Sequence, residues 1–173
     1  MVGAIGVGMN AAAPLAWFVS RADLDCVLVA GRYSLLDTSA AAELLPLCAD
    51  RGVQVLAGGV FNSGILADPR DGAYYDYAPA PAEVLARARR IRDTCAAYGV
   101  PVGAAALRFT LRHPAVTAAV VGARSAAEIT TDASYLTLDI PDDLFAALAT
   151  VLATSTALPL AQDGMGSLPH GSR

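Results

Sequence analysis

Four short apolar runs, each followed by a segment with helical spacing, constrain this chain more than any other feature. They are Gly3–Asn10, Asp25–Gly31, Val53–Gly59 and Val116–Val121. Alternating strand-like and helix-like segments imply an α/β fold, with parallel strands joined by right-handed crossovers. Four such βα units resemble half of a (β/α)8 TIM barrel, and an open doubly wound sheet satisfies the same pattern. The 173 residues suffice for one domain with a core, expected over residues 1–156. The Gly-, Pro- and Ser-rich remainder, 157–173, reads as a flexible tail.

The fourth run carries the most chemistry. Val116–Val121 is apolar and β-branched, the pattern of a strand buried on both faces. Gly122 ends it, and Ser125 followed by Glu128 forms a capping box that starts a helix. A strand turning into a helix N-terminus presents free N–H groups and the positive end of the helix dipole, which favours an anion. Arg124 adds a charged fork suited to phosphate. The plainer alternative is a helix cap beside an exposed arginine.

Composition removes several function classes. Net charge is −4 and pI about 5.0, so no basic surface is available to neutralise a nucleic-acid backbone. Cys26, Cys48 and Cys95 are widely spaced and odd in number, which argues for reduced thiols and a cytoplasmic protein rather than a disulfide framework. His113 and His170 lack metal-ligand spacing, and no metal site is expected. Met1–Val19 is uncharged but has no basic leader and carries Asn10 and Pro14. It reads as strand, turn and helix rather than a signal peptide or membrane span.

Along the chain, Asn10 reads as a polar turn at the end of the first strand, and the order of Gly3, Gly6 and Gly8 is not that of a dinucleotide fingerprint. Helices are expected over Pro14–Arg21, from an N-cap at Asp37–Ser39 through Ala49, over Ala82–Tyr98, over Val102–Arg112 and over Asp142–Leu152. Arg51–Gly52 is the stop of the second. Arg87, Arg89, Arg90 and Arg92 read as a solvated helix face. The loop Val60–Pro81 is long enough to suggest function, and Tyr74, Tyr75 and Tyr77 would either cover a ligand or pack the loop onto the surface.

Five segments now occur in a telling order: AIGVGMN, DLDCVLVAGRYSLLD, RGVQVLAGGVFNSGIL, GVPVGAAALRFTLRHPAV and VVGARSAAEI. On these, from about Gly3 to Leu152, the chain resembles the C-terminal half of an aldo-keto reductase, in the bacterial branch of D-threo-aldose (L-fucose) and pyridoxal dehydrogenases. The resemblance implies strands five to eight of the barrel and a nicotinamide cofactor, NADP or NAD, at their ends. It places Asn10 at the nicotinamide carboxamide. It places Gly58, Gly59, Phe61, Asn62, Ser63, Gly64 and Leu66 in the loop crossing the pyrophosphate. Gly122, Arg124 and Ser125 fall at the adenosine ribose and any phosphate on it, and Glu128 near the adenine. Arg124 leans towards NADP and is compatible with NAD.

The chain departs from the family pattern in places. The serine before the asparagine is displaced in GVGMN, Asp132 stands where many members carry an adenine-binding asparagine, and Gly58 or Gly59 replaces a stacking tyrosine. The family's catalytic aspartate, tyrosine, lysine and histidine belong to the first half of the barrel, and this chain contains no lysine at all. Tyr33 and Tyr74 show no histidine or lysine partner in evident reach, so no catalytic residue is assigned. The expectation is therefore the NAD(P)-binding half of an oxidoreductase that moves hydride between cofactor and a sugar or other carbonyl, inactive alone. Four parallel strands leave two open edges, so a homo-oligomer or a complementary half-barrel is expected as partner. The alternatives are a non-catalytic self-associating binding module and a truncated gene product.

Overall fold

The computed structural model describes residues 1–153, so the tail expected over 157–173 lies outside the described residues. In order, the elements are β1 (Gly6–Met9), α1 (Ala12–Arg21), β2 (Cys26–Ala30), a 3-10 turn (Ser39–Ala41), α2 (Leu44–Arg51), β3 (Gln54–Gly58), β4 (Tyr74–Tyr75), β5 (Ala78–Pro79), α3 (Ala82–Ala97), α4 (Val102–Thr110), β6 (Val116–Val120), α5 (Ala126–Tyr135) and α6 (Asp142–Ala153). The four long strands form one parallel sheet in the order β1-β2-β3-β6. Each βα unit thus adds its strand on the same side of the last. A doubly wound sheet reverses direction at a switch point; this one does not, and barrel-type addition is what the sequence rhythm leaves.

Two cores hold the layers together. Val27, Val29, Val55 and Ala57 point from one face of β2 and β3 onto Leu15, Val19, Leu44, Leu45 and Cys48 of α1 and α2. The second core is built from α3, α4 and α6, with Leu35, Leu36, Ile65 and Leu66 inserted from the loops after β2 and β3. Period-two alternation is visible in β2, where Val27 and Val29 are buried between the half-buried Cys26, Leu28 and Ala30. Gly52 ends α2 in the left-handed conformation, and the amides of Gly52 and Val53 both reach the Cys48 carbonyl. Burial pushes the Cys48 and Cys95 thiols up to about 11, which keeps them protonated at neutral pH.

Several expectations need correction. Val116–Val121 is not buried on both faces: among the described residues β6 lies at a sheet edge, and only Val116 within it is buried. β1 is the other edge and is likewise half-exposed rather than buried. The helix expected from Asp37–Ser39 through Ala49 is broken into the 3-10 turn and α2; the Asp37 carboxylate accepts from the Ser39 amide, and neither the turn nor α2 has a side-chain cap. Arg87 is not part of a solvated face. It is buried, its guanidinium reaches the Leu152 carbonyl, and burial lowers its pKa. Arg89 leaves the helix to bind the Pro69 carbonyl at 3.2 Å and Asp71 at 2.8 Å, tying down the long loop. That loop also contains structure of its own: β4 and β5 form a two-stranded antiparallel ribbon.

Candidate dinucleotide cleft

The site is built at the C-terminal ends of β3 and β6. β3 delivers the chain to Gly59, whose φ of +62° turns it away from the sheet. The segment after it is wound tightly: the amides of Asn62 and Gly64 donate to the Gly59 and Phe61 carbonyls, and the Leu66 amide also reaches Phe61. β6 ends at Val120, and Gly122 to Arg124 connect it to α5. The Ser125 hydroxyl caps α5 by accepting from the Glu128 amide at 3.2 Å.

Between these two turns lies an open cleft of about 670 Å3. Its floor and one side come from Phe61, Ser63, Gly64, Gly122, Arg124 and Glu128. The long loop adds Asp68, Arg70 and Tyr74, and α5 adds Thr131, Asp132 and Tyr135. A smaller recess joins it on the sheet side, where Gly59–Gly64 face Val120–Gly122. Two segments 60 positions apart in sequence, expected to act on one ligand, are thus brought together.

Other expected site residues fall elsewhere. Asn10 is exposed at the end of β1 and lines a separate pocket with Arg32, Ser39 and Glu43. Leu66 is fully buried in the helical core, so its side chain packs rather than faces the cleft. Asn62 borders the smaller recess but is itself buried: its side-chain amide donates to the Gly31 carbonyl at 3.1 Å, while its Oδ1 has no partner among the described residues. Gly58 is buried against Leu28 and Ala30 within the sheet.

The anion-favouring turn is occupied by the protein itself. One Glu128 oxygen accepts from the Arg124 amide at 2.7 Å, and the other accepts from the Arg124 guanidinium at 2.8 and 3.2 Å. The capping box is therefore only half formed, because the glutamate reaches Arg124 rather than the Ser125 amide. Hydrogen bonding to Arg124 holds the Glu128 carboxyl below its usual range. Asp132 moves the other way, raised by burial and by the negative charge of Glu128.

Sequence reasoning missed Thr131 and Tyr135 as cleft residues, although the signal was present. Glu128, Thr131, Asp132 and Tyr135 recur at i, i+3, i+4 and i+7, which is one face of α5. Tyr135 is seated by Gly103 of α4, where a Cβ would come within 3.0 Å of its ring. Arg108 of α4 holds the end of the same helix through the Leu136 and Leu138 carbonyls. One statement about the tyrosines also needs correction. Tyr33 does have a histidine neighbour: its ring meets His113 edge to face at 5.8 Å and Phe109 at 5.3 Å. Tyr33 is not among the residues lining the cleft, whereas Tyr74 is.

Comparison with known proteins gives the family and the fold. The profile of the aldo/keto reductase family matches residues 1–153. The chain is 46% identical over 144 residues to pyridoxal 4-dehydrogenase of Microbacterium luteolum, covering 83% of this chain and 42% of that protein. It is 42% identical over 151 residues to D-threo-aldose 1-dehydrogenase of a Pseudomonas species, covering 86% and 46%. The chain therefore spans less than half the length of these two relatives. Among solved structures, aldo-keto reductase AKR11C1 from Bacillus halodurans in its holo form superposes with a TM-score of 0.67 at 18% identity, over 84% of this chain and 49% of that one. Glycerol dehydrogenase AKR11B4 from Gluconobacter oxydans gives 0.66 at 20% identity, over 94% and 53%. These structures establish the likeness of fold.

Proposed function

Because the chain belongs to the aldo/keto reductase family, we propose that the cleft between the β3 loop and the start of α5 holds the adenosine and pyrophosphate end of a nicotinamide dinucleotide. The observation that carries this reading is the convergence of Phe61–Gly64 with Gly122–Glu128 on one cavity, at the C-terminal ends of parallel strands. Ligands of parallel α/β folds bind at those ends. Ser63 and Arg124 supply anion-binding polarity, and Phe61, Tyr74 and Tyr135 supply aromatic surface for a base.

The bound cofactor would carry hydride chemistry; the residues of this chain bind and orient it. The chain has no lysine to tune a proton-donating tyrosine, so turnover on a sugar or other carbonyl needs the catalytic aspartate, tyrosine, lysine and histidine from other residues than these. β1 and β6 each pair on one side only among the described residues. Further strands, from a second copy or from a complementary half-barrel, would complete the sheet there. The three free cysteines support a reducing compartment, the cytoplasm. No helix among the described residues is long and apolar enough to cross a membrane.

The geometry favours NAD over NADP. A 2′-phosphate entering beside Arg124 would meet the negative charge of the Glu128 carboxylate, which already takes the Arg124 amide and the Nε and Nη2 donors of its guanidinium. A 2′-hydroxyl, by contrast, can donate to that carboxylate. Fluorescence titration of the 173-residue chain should show NADH binding more tightly than NADPH. Glu128→Gln should shift the ratio of the two affinities about tenfold towards NADPH, the size of one charge-assisted contact. Arg124→Ala should weaken both. An unchanged ratio in Glu128→Gln would remove the case for NAD, and no saturable binding of either nucleotide would remove the cofactor reading itself.

A further inference from the structure

The ribbon β4–β5 is anchored at a point remote from its own hairpin base. Arg32, just after β2, is 9% exposed. Its guanidinium grips Asp76 at the ribbon's turn with two contacts, Nη1 to Oδ1 at 3.0 Å and Nη2 to Oδ2 at 2.9 Å. Asp37 lies 3.6 Å from the same Nη1 and is itself fixed by the Ser39 amide. A two-pronged arginine–carboxylate pair at this depth is directional and poorly screened.

The same junction gathers left-handed backbone. Asn62, Ser63, Asp76 and Tyr77 all have positive φ, at +44°, +59°, +48° and +65°. These four are the only non-glycine residues among the described ones to do so. Asp76 and Tyr77 are the two-residue turn of the β4–β5 hairpin, where positive φ at both positions matches the twist of the strands, and Asn62 and Ser63 lie in the tight turn after β3. The two turns are joined directly, the Tyr77 amide donating to the Ser63 hydroxyl at 3.4 Å, and the first is tied to the β2 end by the Asn62 side-chain amide, which donates to the Gly31 carbonyl beside Arg32. The latch also stands between two hollows. Arg32 lines the pocket of Asn10, while Ser63 and Tyr74 line the cleft.

We propose that Arg32 is a positioning residue of the dinucleotide cleft: through Asp76 it holds the β4–β5 ribbon and Ser63 in place as one wall, and this latch sets how fast a bound dinucleotide leaves. The proposal rests on the dinucleotide reading above. Arg32 does not touch the cleft itself; it acts through the ribbon. Loosening the wall removes contacts made only after docking, so the effect belongs to dissociation rather than association.

The test compares the 173-residue chain with Asp76→Asn and with Arg32→Lys, which keeps the charge and loses the fork. Hydrogen exchange on the free proteins reads the ribbon, and stopped-flow displacement of NADH reads release. In Asp76→Asn, amides of residues 72–80 should exchange at least about tenfold faster while those of β2 and β3 do not change. NADH should dissociate about tenfold faster, with its association rate altered less than about twofold. Arg32→Lys should fall between wild type and Asp76→Asn on both readouts, and it stands in should Asp76→Asn fail to fold. Unchanged ribbon exchange in both variants overturns the latch. Faster ribbon exchange with an unaltered NADH release rate overturns its role in binding and leaves a structural pair. A wild-type chain that binds no NADH overturns the proposal by way of the cofactor reading, and the exchange data then show separately whether the ribbon is latched.

Discussion

Leu66→Ala should destabilise the protein by about 2–5 kcal/mol, the range for emptying a leucine site in a packed core. Leu66 lies in the loop after β3, within a run that the family resemblance assigns to the cofactor. Its side chain is nonetheless fully buried with Ile65, Leu35 and Leu36 against the helical core. The Leu66 amide bonds to the Phe61 carbonyl at 3.1 Å, so the alanine variant keeps the turn and loses the plug. Urea unfolding followed by circular dichroism measures the change through the midpoint. A shift below about 1 kcal/mol would mean that the leucine is not seated as described, since even partial collapse of such a cavity leaves more than that.

Gly59→Ala should be comparably severe for a different reason. Gly59 has φ +62°, and a Cβ there would stand 2.9 Å from the Gly31 nitrogen and 3.3 Å from its Cα. Both obstacles are backbone, and Gly31 cannot retreat without breaking its bond to the Gly58 carbonyl at 2.9 Å. The left-handed conformation alone disfavours alanine by about 1–2 kcal/mol. Overpacking adds about 1–3 kcal/mol. Gly52→Ala separates the two contributions, because Gly52 has φ +69° but nothing within 4 Å of the added Cβ. It should show only the conformational part. Equal destabilisation of the two variants would show that the close approach of the β2 and β3 loops is not a constraint.

The legible part of this molecule was the part governed by local pattern. Four apolar runs and the helices between them gave the strand–helix alternation, and Gly52 and Ser125 sit at a helix stop and start as their chemistry dictates. The first error concerned environment rather than element. β6 has the composition of a buried strand, yet it lies at a sheet edge, and nothing in Val116–Val121 itself records how many neighbours it has. The arginines of α3 were misread for a related reason. Helical spacing places them correctly on the helix but cannot show that α6 and the 60s loop arrive to cover Arg87 and engage Arg89.

The two turns that border the candidate cleft were legible, and the connections between them less so. Gly122–Glu128 and Phe61–Gly64 are separate signals in sequence that the parallel sheet brings side by side. The self-pairing of Arg124 with Glu128 was not visible, because Arg124 precedes the N-cap of α5 and so lies outside its helical spacing. The Arg32–Asp76 pair was not visible, because 44 positions and a hairpin separate its partners. Long-range ion pairs leave no periodic trace.

The central claim is that the β3 loop and the start of α5 form one dinucleotide site. Amide chemical shifts of the isotopically labelled 173-residue chain, recorded as NADH is added, test it most directly. Saturable shifts at Ser63, Gly64, Gly122, Arg124 and Glu128, moving together with one dissociation constant, are the result this account requires. Shifts confined to residues around Asn10 and Ser39, or none at any concentration up to millimolar, would contradict it.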